Sequence, residues 1–150
     1  MPKLSPNFYL SELTVSQTAA RQNISNEPGA AHIANLERLC KTALQPLRDK
    51  LARPVLITSG YRSPALNRVI GGSTTSAHMD GRAADIHVQG MSSSQLMRYI
   101  HAMNLPVDQV IDEFGSWVHV GIAQAGANPR RQYLIARYYS GRVSYDLAKF

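Results

Sequence analysis

The sequence predicts an α+β fold, with N-terminal helices packed on a small antiparallel β-sheet. Apolar residues recur every three or four positions from Ile33 to Leu51, the period of an amphipathic helix. Short apolar and β-branched runs occupy much of the second half, and the later ones are separated by a few turn residues, as in hairpins. No repeat, low-complexity tract or linker interrupts the 150 residues, so a single domain over 1–150 is expected, long enough to bury a core without disulfide staples.

In chain order, Phe8-Tyr9-Leu10 reads as a short extended lead-in and Ser16 to Arg21 as a small helix, ended by Asn26-Glu27-Pro28-Gly29. Pro28 then falls where a first helical turn tolerates proline, and Ile33, Leu36, Cys40, Ala43, Leu44, Leu47 and Leu51 form the apolar stripe of a helix of about six turns. Pro46 removes a backbone donor and should kink or split that helix near residue 45. Pro54 to Thr58 reads as a buried strand ended by Ser59-Gly60. Ser63 and Pro64 read as the cap and first residue of a helix through Ile70, and the loop Gly71 to Thr75 follows. Ala83 to Val88 is a second strand, and Ser92 to Gln95 has capping-box spacing ahead of a helix carrying Leu96, Met97, Tyr99, Ile100 and Met103. Val107 to Phe114 and Trp117 to Ile122 form a hairpin across Gly115-Ser116, and Tyr133 to Tyr139 with Val143 to Leu147 form another.

Composition narrows the classes. With 44% apolar and 17% charged residues the chain is of the folded globular kind. Cys40 is the only cysteine and lies in an apolar helical stretch, which excludes a disulfide framework and a cysteine-rich metal cluster and predicts a buried, inert thiol. No segment approaches the roughly 18 to 20 apolar residues that span a bilayer, and Met1 to Ser5 lacks the apolar run of a signal peptide, so synthesis in the cytoplasm is expected. The net charge of +6 favours anionic partners, but its arginines are scattered, which reads as a solvated surface and not as a nucleic-acid groove.

The chemistry concentrates in Ser76-Ala77-His78-Met79-Asp80-Gly81-Arg82-Ala83-Ala84-Asp85, which sets an imidazole and a carboxylate seven residues apart across a glycine turn. With His119, in Trp117-Val118-His119-Val120, it offers two neutral nitrogens and one anionic oxygen. That set suits one Zn²⁺ and leaves the fourth tetrahedral position to water, the mark of a catalytic site. If Asp85 faces the ion, strand alternation sends His87 to the same side as a rival ligand or a neighbour. His32 and His101 sit in predicted helices without a partner nearby in sequence.

These residues resemble the M15 family of zinc D-Ala-D-Ala carboxypeptidases and endopeptidases, which includes phage endolysins. The family's S-x-H-x-x-G-x-A-x-D pattern appears as Ser76, His78, Gly81, Ala83 and Asp85, its W-x-H element as Trp117-Val118-His119, and its S-G-Y-R-S element as Ser59 to Ser63. The similarity runs from about Phe8 to Ile122. The resemblance implies a Hedgehog/DD-peptidase-like fold, zinc held by His78, Asp85 and His119, and Arg62 holding or polarising the peptide near the scissile bond. Ser76 is expected to border the substrate and brace its loop, Tyr61 and Asn67 to pack and cap, and Trp117 to be a core aromatic or one wall of the peptide groove.

Metal-assisted hydrolysis also needs a carboxylate to carry the proton. Many relatives have an acid three residues before the last histidine, where this chain has Ser116; Asp112 and Glu113 are the acids available. A two-residue Gly115-Ser116 turn would pair Phe114 with Trp117 and face Asp112 to His119. A three-residue turn would set Glu113 opposite Trp117, Ile111 opposite His119, and Glu113 on the same side as His119. The Glu-Phe-Gly-Ser-Trp-Val-His string resembles a phage-associated branch of the family, which implies Glu113 as the base, with Asp112 as the alternative. The expected function is a monomeric zinc peptidase that cleaves the peptide stems of bacterial peptidoglycan, made in the cytoplasm and reaching the wall by holin-type release. A D-Ala-D-Ala carboxypeptidase or dipeptidase and a non-catalytic, zinc-stabilised wall-binding module are the alternatives.

Overall fold

The computed structural model describes residues 2–150. Lys3–Ser5 (β1) and Phe8–Tyr9 (β2) form a two-stranded antiparallel ladder, followed by a 3-10 turn at Leu10–Leu13. The lead-in is thus anchored by its own partner strand and by burial of Leu4, Phe8 and Leu13. Ser16 caps α1 (Gln17–Arg21) by accepting the Ala19 N–H at 3.1 Å.

The long apolar stripe folds as one helical run in three pieces: α2 (Ala30–Leu39), a π-helical turn at Cys40–Leu44, and α3 (Gln45–Leu51). Pro46 is the reason for the middle piece. An α-helical ladder would need its missing N–H and would press its ring on the preceding turn. Here the Gln45 N–H reaches back to the Cys40 carbonyl, and the widened turn absorbs the proline without ending the helix. Pro28 does not open α2 as expected; the cap is Gly29, whose N–H donates to His32 Nδ1 at 2.9 Å and so sets the helix start two residues past the proline.

Leu56–Ser59 (β3) precedes α4 (Pro64–Ile70), which Ser63 caps by accepting the Leu66 N–H, with Pro64 in the first turn. Ala83–His87 (β4) leads to α5 (Ser93–Met103), opened by a reciprocal capping box in which Ser92 Oγ accepts from Gln95 N and Gln95 Oε1 accepts from Ser92 N. Gln109–Glu113 (β5), Trp117–Gly121 (β6), Gln132–Tyr139 (β7) and Arg142–Leu147 (β8) complete a six-stranded sheet of order β3-β4-β6-β5-β7-β8.

Two expectations are corrected here. The sheet is mixed and not wholly antiparallel, because β7 runs parallel to β5. After β6 the chain crosses the start of β5, held by Arg131 N to Val107 O and by the Arg130–Asp108 pair at 2.9 Å, so β7 begins at the same end as β5. The run Pro54 to Thr58 is not a buried strand either. β3 lies at the sheet edge with β4 as its neighbour; Val55 is buried, but Leu56 is 48% exposed.

α5 lies against β5 and β6. Leu36, Leu39, Leu44 and Leu47 of the long helical run share one buried cluster with Ile86, Val88, Val118 and Val120. Strand alternation sends Ala84, Ile86, Val110, Val118 and Val120 into that cluster, and turns Asp85, Ile111, Glu113, Trp117, His119 and Gly121 to the opposite, open face.

Candidate metal centre

His78 and Asp85 reach the open face by a sharp turn. Ser76 caps the 3-10 turn Ala77–Asp80 by accepting the His78 N–H at 3.2 Å, and Gly81 ends it at φ +78°. A side chain at Gly81 would have its Cβ 2.6 Å from the His32 carbonyl oxygen, so both the left-handed backbone and the close approach require glycine. β4 then pairs with β6 so that Asp85 stands directly opposite His119.

The donor atoms converge. His78 Nε2 lies 3.3 Å and His119 Nδ1 3.1 Å from Asp85 Oδ1, and the three ligand atoms all fall within 4.8 Å of one another. Ligands about 2.05 Å from a tetrahedral zinc stand ~3.3 Å apart, so the set fits that ion. His78 and Asp85 are buried and His119 is half-buried, which limits access to one side. His78 Nδ1 donates to the Gly60 carbonyl at 2.8 Å, fixing the tautomer that leaves Nε2 with its lone pair toward the cluster. Gly60 itself must lack a side chain, since a Cβ would fall 2.3 Å from the Leu13 carbonyl oxygen, where the 3-10 turn crosses. Burial alone would raise the Asp85 pKa, but hydrogen bonds with His119 and His78 hold it well below the usual carboxylate range. It is therefore ready to bind a cation as the anion.

Arg62 closes the other side of Asp85. Its Nη2 is 3.6 Å from Asp85 Oδ2, its Nε donates to Ser59 Oγ at 3.2 Å and its Nη1 to Asn67 Oδ1 at 3.3 Å. These contacts fix the guanidinium plane and leave the remaining N–H donors to the cleft it lines. Asn67, fully buried, also donates to the Ser73 carbonyl at 2.9 Å and so ties the loop after α4 to Arg62. Its role exceeds the capping expected of it.

Adjacent acids on β5 face opposite ways. Glu113 pairs with Trp117 and Ile111 with His119, the register of a three-residue turn through Phe114, Gly115 and Ser116. The two-residue alternative is thereby set aside. The turn needs positive φ at Phe114 (59°) and Gly115 (71°), and Asp112 stabilises it by accepting the Gly115 N–H at 3.2 Å. Asp112 also accepts the Ser93 hydroxyl of α5 at 2.6 Å, on the covered face. Glu113 stands on the open face with the histidines. Its pKa is raised, first by burial and then by the Asp85 charge, while His119 and Arg62 pull it the other way.

Trp117 is not a core aromatic: its neighbours Val118 and Val120 bracket the inward positions, and it lines the cleft half-buried, its indole N–H unpartnered. His87 shares the face of Asp85 but is exposed and outside the ligand cluster. His32 serves the α2 cap and packs against Tyr61, and His101 stacks on Phe150 at 3.7 Å. Cys40 is fully buried, its thiol pushed up to about 12 by burial.

The cluster sits between two clefts. One, of about 390 Å³, is lined by Arg62, Glu113, Phe114, Trp117 and Tyr145. The other, of about 550 Å³, runs past Thr75, Gln109, Ile111 and Gly121. Ser73, Ser76 and His119 line both, so the two clefts adjoin at the candidate metal position. The family description Peptidase M15 matches residues 6–121. The chain belongs to the M15 peptidase family. M15 peptidases are zinc-dependent, and the His78, Asp85 and His119 cluster could hold that ion. Every residue of the cluster, with Arg62 and Glu113, lies inside the matched stretch, whereas β7 and β8 lie beyond it. Comparison with curated proteins finds no match.

Sequence reasoning missed Tyr145 and the parts played by the Gly60 carbonyl, Ser59 and Asn67, which hold His78 and Arg62. The latter three act on residues already found, through one backbone atom and two short side chains that carry no spacing signal. Tyr145 comes to the cleft through the β5–β7 pairing, which a reading of hairpins does not supply.

Proposed function

We propose that the protein is a zinc peptidase hydrolysing the peptide stems of bacterial peptidoglycan, of the kind phages use for lysis. The observation that carries this reading is the convergence of His78, Asp85 and His119 beside Glu113, with cleft space on either side of the cluster. When bound, zinc supplies Lewis acidity, bringing the ionisation of water from about 15.7 towards ~7. Glu113, held above the ordinary glutamate range by burial and by Asp85, takes the proton and returns it to the leaving amine. Arg62, fixed by Ser59, Asn67 and Asp85, orients the peptide and offers donors to the oxygen that gains charge. The Gly60 carbonyl keeps His78 in its ligating tautomer. Ser76 holds the loop that borders the peptide.

Cleft space on either side of the cluster favours cleavage within a stem over removal of a single terminal residue. A net charge of +6 suits an anionic wall. The second reading, a D-Ala-D-Ala carboxypeptidase, is favoured by Arg62 alone, since a guanidinium in the cleft can hold a substrate carboxylate. The third, a zinc-stabilised wall-binding module, is favoured by the Ser116 that stands in place of an acid, whereas Glu113 on the open face offers an acid in its stead and favours the first. Purified peptidoglycan and free D-Ala-D-Ala, each incubated with the zinc-loaded protein, separate the readings. New internal stem termini support the first, release of D-Ala alone supports the second, and wall binding with zinc retained but no new terminus supports the third.

A further inference from the structure

β7 and β8 lie beyond the matched family stretch, yet the register of the sheet carries them to the candidate site. Trp117 pairs with Glu113, Glu113 with Ala136, and Ala136 with Tyr145, so four neighbouring strands set these side chains in one row on the open face. Ala136 is fully buried and contributes a single methyl, which leaves the space above it to the tyrosine ring. Tyr145 lines the cleft together with Arg62, His78, Asp85, Glu113 and His119. The hairpin that bears it is tied down: Phe114 stacks on Tyr138 at 4.5 Å and 14°, and the Phe114 N–H donates to the Ala136 carbonyl at 3.1 Å. Among the described residues no group hydrogen-bonds the Tyr145 hydroxyl.

We propose that Tyr145 is a substrate-binding residue, its phenol donating a hydrogen bond to a backbone carbonyl oxygen of a peptide lying in the groove, on the side of Glu113 away from His119. This rests on the peptidase reading above. A carbonyl suits the position better than a carboxylate, because the Glu113 charge beside it repels an anion. Burial and then that same charge keep the phenol protonated and hence a donor. Arg62 and Tyr145 then hold the peptide from opposite walls, the hairpin adding a contact that the matched stretch alone does not contain.

The test compares Tyr145→Phe with the parent protein on purified peptidoglycan stem peptides, both zinc-loaded. Hydrolysis is followed for KM and kcat, and equilibrium binding of the same peptides is measured by calorimetry in a Glu113→Gln background with and without Tyr145→Phe. Loss of one hydrogen bond predicts a KM and a dissociation constant each raised about 2- to 10-fold, with the loss falling on KM more than on kcat. Equal KM and equal binding, with or without a lower melting temperature, would overturn the proposal and leave the peptidase reading standing. Binding that depends on Tyr145 without any hydrolysis by the parent would support the proposal and sink the peptidase reading. A peptide neither bound nor cut overturns both.

Discussion

On β5 the structure sets two acids side by side and treats them in opposite ways. Asp112 turns to the covered face, where the Ser93 hydroxyl and the Gly115 N–H satisfy it. Glu113 turns to the open face, where burial and the neighbouring Asp85 charge raise its pKa and its carboxylate lines the cleft. A one-residue step along a strand therefore separates an acid that holds the fold from an acid that faces the candidate metal cluster. The same division runs through β4 and β6, where Ile86, Val118 and Val120 fill the core while Asp85 and His119 meet on the other side.

The largest effect is expected at the ligand cluster. His119→Ala or Asp85→Ala should abolish stoichiometric zinc in metal analysis and measurable hydrolysis, and chelation of the parent should do the same reversibly, because no other cluster of three ligand residues is found among the described residues. Arg62→Lys comes next. A single ammonium cannot reach Ser59, Asn67 and Asp85 together, and a loss of about 10- to 100-fold in activity or zinc affinity is expected, measured by kinetics and competitive chelation.

Asp112→Ala sharpens the contrast from the covered face. It leaves the Ser93 hydroxyl and the Gly115 N–H without their partner and should cost about 1–3 kcal/mol in denaturant unfolding while zinc content is kept. A subtler difference lies in the pH profile. Glu113 must be ionised to act as a base, so its raised pKa moves the acidic limb of kcat/KM above that of an ordinary glutamate; activity falls as pH drops through that raised value. The sign for stability is the reverse, since a carboxyl favoured in its protonated form stabilises the fold at low pH and loses that contribution as pH rises through the folded pKa. The smallest effect is at Cys40, which should resist thiol reagents in the folded protein and react on unfolding, as its burial and its pKa of about 12 require.

Much of the site was legible in the sequence because its chemistry is local. His78, Gly81 and Asp85 lie in one turn and strand, and the caps at Ser63 and Ser92 announce their helices through side chains that bond within three residues. What stayed hidden depended on distance. Whether Asp112 or Glu113 faces His119 turned on one residue of loop length, and Gly-Ser gives no sign that Phe114 also takes positive φ. The parallel pairing of β7 with β5 depends on a crossover held by Arg130 and Asp108, twenty-two residues apart, which no periodicity encodes. Pro46 predicts a kink or split near residue 45, but that the chain answers it with a π turn at Cys40–Leu44 and continues as a helix depends on how the preceding turn repacks, which the proline alone does not encode.

On the proposed reading the open-face acid, and not its covered neighbour, carries the proton. Zinc-loaded Glu113→Gln should keep one equivalent of metal and lose about 10²- to 10⁴-fold in kcat on peptidoglycan stem peptides. Full hydrolysis by that variant with zinc still bound would contradict the account.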